Sequence, residues 1–191
     1  MHITRPAQLP DSPTVTGIVQ RPRQAYAWLA MPAQFSRAET SRFLRGRHVG
    51  VLATIGRDGR AVLTPIWYLY RGGKLLMRSG TDSAKVKNIR RDPRVTFCVQ
   101  DERAPYASVT VYGSATIEPE EPGLGAKMAR HYLGAVAGAA YMRVAAEEIQ
   151  QSAEATIVVT PDRIRTENFA GETPLAGKVW LQAKRLLPPW L

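Results

Sequence analysis

The sequence predicts a mainly β fold with inserted helices, built as an antiparallel barrel and not as a doubly wound sheet. Three observations carry this. Apolar residues recur with a period of two in several short runs, such as Val95, Phe97 and Val99. Tight turn sequences join successive runs: Gly56-Arg57-Asp58-Gly59, with its Asp-Gly pair, and Arg71-Gly72-Gly73-Lys74. Finally, no G-x-G-x-x-G follows a strand and no G-x-x-x-x-G-K-[ST] occurs, which removes support for dinucleotide-binding and triphosphatase folds.

The elements follow in chain order. Residues 1–35 hold five of the fourteen prolines and show no clean period, so they read as an extended arm. Ser36-Arg37-Ala38-Glu39 is a capping box, opening a short helix with Phe43 and Leu44 on its apolar stripe. Val49, Val51, Ala53 and Ile55 alternate in a first strand. Residues 61–70 form a second, where Pro65 implies an edge or a bulge because it lacks an N–H. Residues 75–79 form a third, and a helix over 82–91 stops at Asp92-Pro93. Residues 95–99 and 108–118 form the fourth and fifth strands. Helical sequence runs to about residue 152, interrupted near Gly134 and Gly138. Residues 155–160 and 163–168 read as two short strands around a Pro161-Asp162 turn. The tail over 171–191 is irregular, and its Trp180, Leu181, Leu186, Leu187 and Trp190 need a surface to bury against. The expected organisation is an arm (1–35), a cofactor-binding barrel domain (36–170) and a tail (171–191).

Composition bounds the function. The apolar share of 45% suits a globular core, and no run approaches a membrane span. The lone Cys98 lies in an alternating run and reads as a core residue, while the N-terminus lacks the apolar run of a secretory signal. A reducing, cytoplasmic setting is expected. The net charge of +10 favours anionic partners. It is uneven: residues 71–94 carry eight Lys or Arg against two Asp.

That basic window contains the candidate site. A strand ends at Arg78-Ser79-Gly80, and the hydroxyls of Ser79, Thr81 and Ser83 gather where a helix bearing Lys85, Lys87 and Asn88 begins. A helix start offers unpaired N–H groups and the positive end of a dipole, which suits phosphate. Lys85 and Asn88 share one helix face and Lys87 points elsewhere. Asp82 is unfavourable beside a phosphate unless it caps the helix and turns away.

The order of hairpin, Thr64-Pro65-Ile66-Trp67 strand, Arg78-Ser79 strand end, Lys85 and Asn88, then Arg91-Asp92-Pro93-Arg94-Val95 resembles the pyridoxamine 5′-phosphate oxidase-like split β-barrels. Among these it is most similar to the flavin/deazaflavin branch, whose members often use coenzyme F420. The resemblance covers residues 36–168. It implies a homodimer with the cofactor in a groove at the subunit interface. It places the phosphate on Arg78, Ser79, Thr81, Ser83, Lys85 and Asn88, and the ring beside Thr64, Pro65, Ile66 and Trp67.

The family binds FMN, F420 and, in some members, FAD or haem. F420 is the more anionic because it adds a polyglutamate tail to its phosphodiester, and the basic window, with Arg103 and Arg143 as further candidates, favours it. FMN is the alternative. The implied function is an F420H2-dependent reductase that transfers a hydride to an activated double bond of a small organic substrate. No Ser-His-Asp, paired-carboxylate or zinc spacing is present, and hydride transfer demands none. Tyr68, Tyr106 or water are the candidate proton sources, and the sequence does not choose among them. A non-catalytic flavin or F420 binder is a second reading. Isolated His48 and His131 read as structural and not as haem ligands, and Trp67, Tyr68 and Tyr70 as packing and not as a nucleobase platform. Neither nucleic acid, membrane nor metal is expected as a partner.

Overall fold

A computed structural model describes residues 33–103, 106–145 and 153–169, with Val179 and Ala183. Most of the expected arm and tail, including Trp180 and Trp190, lie outside the described residues. The elements are α1 (Arg37–Leu44), β1 (Gly50–Ile55), β2 (Ala61–Ile66), β3 (Leu69–Arg71), β4 (Lys74–Gly80), α2 (Ala84–Arg91), β5 (Arg94–Asp101), β6 (Ala107–Pro119), α3 (Leu124–Leu133), α4 (Ala135–Val144) and β7 (Glu154–Asn168). The strands form one antiparallel sheet in the order β2-β1-β5-β6-β7-β4-β3.

The two outermost strands, β2 and β3, are neighbours in the chain, joined by Trp67 and Tyr68 alone. Three residue steps span at most about 11 Å. The sheet must therefore curl until its two edges nearly meet, which makes it a barrel split between β2 and β3. Sequence reading expects one strand over 61–70. The sheet breaks it, because Tyr68 turns into the core, where it is 1% exposed and its ring meets Phe97 edge-on at 4.9 Å.

The other hairpins match their turn chemistry. β1 and β2 pair from Ile55↔Ala61, with Gly59 at φ 79 and the Asp58 carboxylate accepting the Arg60 N–H at 3.1 Å. Pro65 sits on the edge strand, where its missing N–H interrupts no inner ladder. The expected turn at Pro161-Asp162 is instead a bulge within one long strand. Pairing passes from Tyr112↔Arg163 to Gly113↔Pro161, leaving Asp162 as the extra residue. Gly113 permits this, since a Cβ there would overlap the Thr160 carbonyl.

The barrel interior holds Leu52, Leu75, Met77, Phe97, Val99, Val109, Val111, Ile157 and Val159, all fully buried. Helix α1 adds Leu44, and α2 adds Val86 and Ile89. Full burial of one such aliphatic side chain is worth about 1.5–3 kcal/mol. At the arm's end, Ala33 bridges to Asn168 through two backbone hydrogen bonds of 3.0 and 2.9 Å.

A second, smaller core lies on the outer face of β4. Leu76 packs there with Leu124 and Met128 of α3, and Trp67 and Leu69 close its side. The helical stretch breaks at Gly134, at φ 84, but not at Gly138. Gly138 is a packing site within α4: a Cβ there would stand 2.8 Å from the Ala129 carbonyl. No helix of the described residues is long and apolar enough to cross a membrane.

Candidate functional site

The basic window folds into one corner of the barrel. Along β4, Leu75, Met77 and Ser79 face the interior, while Leu76 and Arg78 face α3. Ser79 and Arg78 therefore leave β4 on opposite faces, at the strand end where the chain turns into α2.

Ser79 is the hub. Its Oγ stands 2.9 Å from Ser83 Oγ and accepts a hydrogen bond from Lys85 Nζ at 3.0 Å. Ser83 is the N-cap of α2, accepting the Val86 N–H at 3.4 Å. Asp82 does not cap the helix, so the expected start at 82 moves to Ala84. The Asp82 carboxylate is 96% exposed and lies 3.8 Å from Lys87 Nζ, turned away from Ser79. Its partner Lys87 points outward with it.

An open cavity of about 590 Å³ lies against this corner, within the range of small-molecule sites. Of the ten sequence-derived candidates, Pro65, Ile66, Trp67, Arg78, Ser79 and Lys85 line it. The other four sit just outside the lining. Thr64 is on β2 opposite Leu52. Thr81 donates its N–H to the Ala153 carbonyl at 2.9 Å. Ser83 caps the helix. Asn88 is buried: its Nδ2 donates to Thr54 Oγ1 at 3.0 Å and its Oδ1 accepts from Arg91 at 3.1 Å. That pair ties α2 to β1.

Sequence reading missed one whole wall of the cavity. Val49, Gly125, Met128, Tyr141, Met142 and Glu154 also line it, and four of these come from α3 and α4. Trp67 stacks on Tyr132 at 4.8 Å and 5°, with Tyr141 tilted at 5.8 Å. Tyr132 Oη accepts the Tyr68 N–H at 3.1 Å and stands 2.9 Å from the His48 carbonyl, which pins α3 over the gap between β2 and β3. Burial pushes the Tyr132 hydroxyl pKa above its ordinary value. A Tyr at 132 and another at 141 carry no helical signal that distinguishes them from surface residues.

Arg78 does not present a free charge. Its Nε donates to Glu120 Oε1 at 2.7 Å, and its terminal nitrogen lies 3.8 Å from Glu154 Oε1. Arg103 and Arg143 are absent from the lining. Of the candidate proton sources, Tyr68 is in the core, its hydroxyl without a hydrogen-bond partner among the described residues and its pKa raised by burial. Tyr106 lines a separate cavity with Asp101 and Glu167. The phenol on the cavity wall is Tyr141, about half exposed. His131 Nε2 lies 3.1 Å from the Gly46 carbonyl, and His48 stacks on Phe43 at 4.7 Å, so both imidazoles are engaged in packing.

A family model described as pyridoxamine 5′-phosphate oxidase matches residues 36–168. Among solved structures, a conserved hypothetical protein of Mycobacterium tuberculosis is 28% identical, with a TM-score of 0.58, covering 73% of this chain and 88% of that one. A structure named F420 reductase is 26% identical, with a TM-score of 0.51, covering 65% of this chain and 94% of that one. A FAD-binding protein of Mesorhizobium loti, at 21% identity and a TM-score of 0.51 over 70% of this chain and 93% of its own, shows the fold alone.

Proposed function

We propose that this chain, which belongs to the pyridoxamine 5′-phosphate oxidase family, is an F420H2-dependent reductase acting on an activated double bond of a small organic substrate. The observation that carries this reading is the cavity's two-part lining. An aromatic and aliphatic wall, Trp67 with Pro65 and Ile66, adjoins a cationic, hydroxyl-bearing corner made by Lys85 and Ser79. A planar ring attached to a phosphate needs both parts. The similarity to the structure named F420 reductase supports the choice of ring.

These residues fit such a group. Lys85 and Ser79 would hold the phosphate by charge-assisted hydrogen bonds. Strand β2 is a sheet edge, so one row of its N–H and C=O groups lies outside the ladder and can meet the polar rim of the ring. When bound, reduced F420 supplies the hydride, as cofactors supply the difficult chemistry generally. Pro65, Ile66 and Trp67 at the end of β2 would orient the ring. Reduction of a double bond would also need a proton at its second carbon. The Tyr141 hydroxyl on the wall, or water entering from the open side, delivers it.

A homodimer with the cofactor at the subunit boundary belongs to the same proposal. Titration with F420 and FMN, followed by turnover on enones and quinones, tests it. Micromolar F420 affinity with reduction of an enone is the expected result. Tight FMN binding with no F420 binding overturns the cofactor choice, and tight F420 binding without turnover makes the chain a carrier.

A further inference from the structure

We propose that Glu120 and Glu154 set the phosphate specificity of this cavity: by neutralising Arg78, they fit it to a singly charged phosphodiester and against a doubly charged phosphate monoester. The inference rests on the cofactor reading above, and it concerns the phosphate and not the ring.

Arg78 is held in place. Its side chain is 16% exposed, bonded at Nε to Glu120 and flanked by Glu154, itself 14% exposed at the side chain. Gly125, in the first turn of α3, lies against it: a Cβ there would stand 3.4 Å from Arg78 Cδ. The guanidinium thus lies against α3, held by its two carboxylates. The β4–β7 ladder pairs Gly80 with Glu154 and so fixes that carboxylate at the same strand end.

Among the described residues, the charged groups that line the cavity are Arg78, Lys85 and Glu154, and Glu120 is bonded to Arg78; the Arg78 cluster sums to one negative charge and Lys85 supplies one positive. Lys85 forms no ion pair with a carboxylate among the described residues, and its Nζ points at Ser79 Oγ. A monoanion matches Lys85 charge for charge, beside an Arg78 cluster that already carries one net negative charge. A dianion brings a second negative charge to a partly buried corner that already holds Glu154. Repulsion between that carboxylate and the ligand doubles with ligand charge. A phosphate monoester is close to doubly charged above pH ~7, because its second pKa is about 6. A diester carries one charge. The polyglutamate of F420 adds charge elsewhere in the molecule, not at the phosphate.

Riboflavin 5′-phosphate and its 5′-methyl phosphate diester share one ring and differ by that charge. Dissociation constants for both, and for F420, are measured by fluorescence quenching at about pH 8, where the monoester is doubly ionised. The proteins are the full chain, Glu154→Gln and Glu120→Gln. The unsubstituted protein is expected to favour the methyl ester over the monoester by about tenfold. Glu154→Gln should tighten the monoester about tenfold and the methyl ester about threefold, shrinking the preference. Glu120→Gln should act in the same direction.

Equal affinity for the two esters in the unsubstituted protein overturns the proposal. So does a preference that both variants leave unchanged. If F420 fails to bind while the esters behave as expected, the F420 assignment falls and the charge rule stands. If F420 binds and the ester ratio does not move, the reverse holds. No binding of any ligand removes both.

Discussion

Lys85 and Ser79 link helix α2 to the end of β4, Nζ to Oγ at 3.0 Å. If Lys85 meets the phosphate, Lys85→Ala should weaken F420 binding by about 1.5–3 kcal/mol, the scale of a charge-assisted hydrogen bond. An unchanged dissociation constant would place the phosphate elsewhere. Tyr132 carries a structural task of similar size. Its hydroxyl takes the Tyr68 N–H at 3.1 Å, at the two-residue link where β2 gives way to β3. Tyr132→Phe keeps the stack on Trp67 but leaves that donor unmatched. Urea unfolding should show a loss of about 1–3 kcal/mol, and a loss nearer zero would mean that water replaces the phenol. Lys85 is visible in the sequence, because a lysine beside hydroxyls at a helix start is a local pattern. Tyr132 is not, because its partners lie 64 and 84 residues away.

Helices α3 and α4 form a hairpin whose packing depends on Gly138. A Cβ there would meet the Ala129 carbonyl at 2.8 Å, so the two helices approach at backbone contact. Gly138→Val should force α4 off α3, costing about 1–3 kcal/mol in thermal or urea unfolding. Equal stability would mean that α4 shifts without loss. The loop into α3 is tied to β3 by Glu121, which accepts from both Arg71 guanidinium nitrogens and from Lys127 Nζ. These hydrogen bonds, Arg71 first and Lys127 second, lower the Glu121 pKa to about 2. A carboxylate with a depressed folded pKa stabilises the fold above its unfolded pKa, near 4.5, and loses that contribution as pH falls towards 2. A melting temperature that drops from about pH 4.5 downward should lose part of that slope in Glu121→Gln. Asp92, lowered to about 2 by Arg94, retains its own share in both proteins. An identical slope in the variant would show that Glu121 does not report on folding.

At the scale of the molecule, large apolar side chains stand outside the core: Val49, Leu63, Val136 and Val144 are 51%, 65%, 86% and 83% exposed. Val49 is also in the cavity wall. In the proposed homodimer, such side chains are candidates for the subunit boundary. Light scattering should give twice the 21.1 kDa of one chain, and a stable monomer mass would remove the dimer. Much of the fold was legible along the chain. The Ser36 capping box, the Asp58-Gly59 turn and the alternation at Val95, Phe97 and Val99 are short-range patterns, and the structure holds each as read. The errors fell where tertiary pairing overrode local signals. Pro161-Asp162 has turn chemistry, yet β6 pairs across it and makes it a bulge. The 61–70 run has strand chemistry, yet Tyr68 is drawn into the core and splits it. By itself the sequence determined the element types, the family resemblance and the cationic corner, since each depends on residues a few positions apart. Only the tertiary structure decided that Arg78 is neutralised: Glu120 lies 42 residues away, and Glu154 arrives through the β4–β7 ladder. Charge compensation depends on distance in space, and a sequence records only distance along the chain.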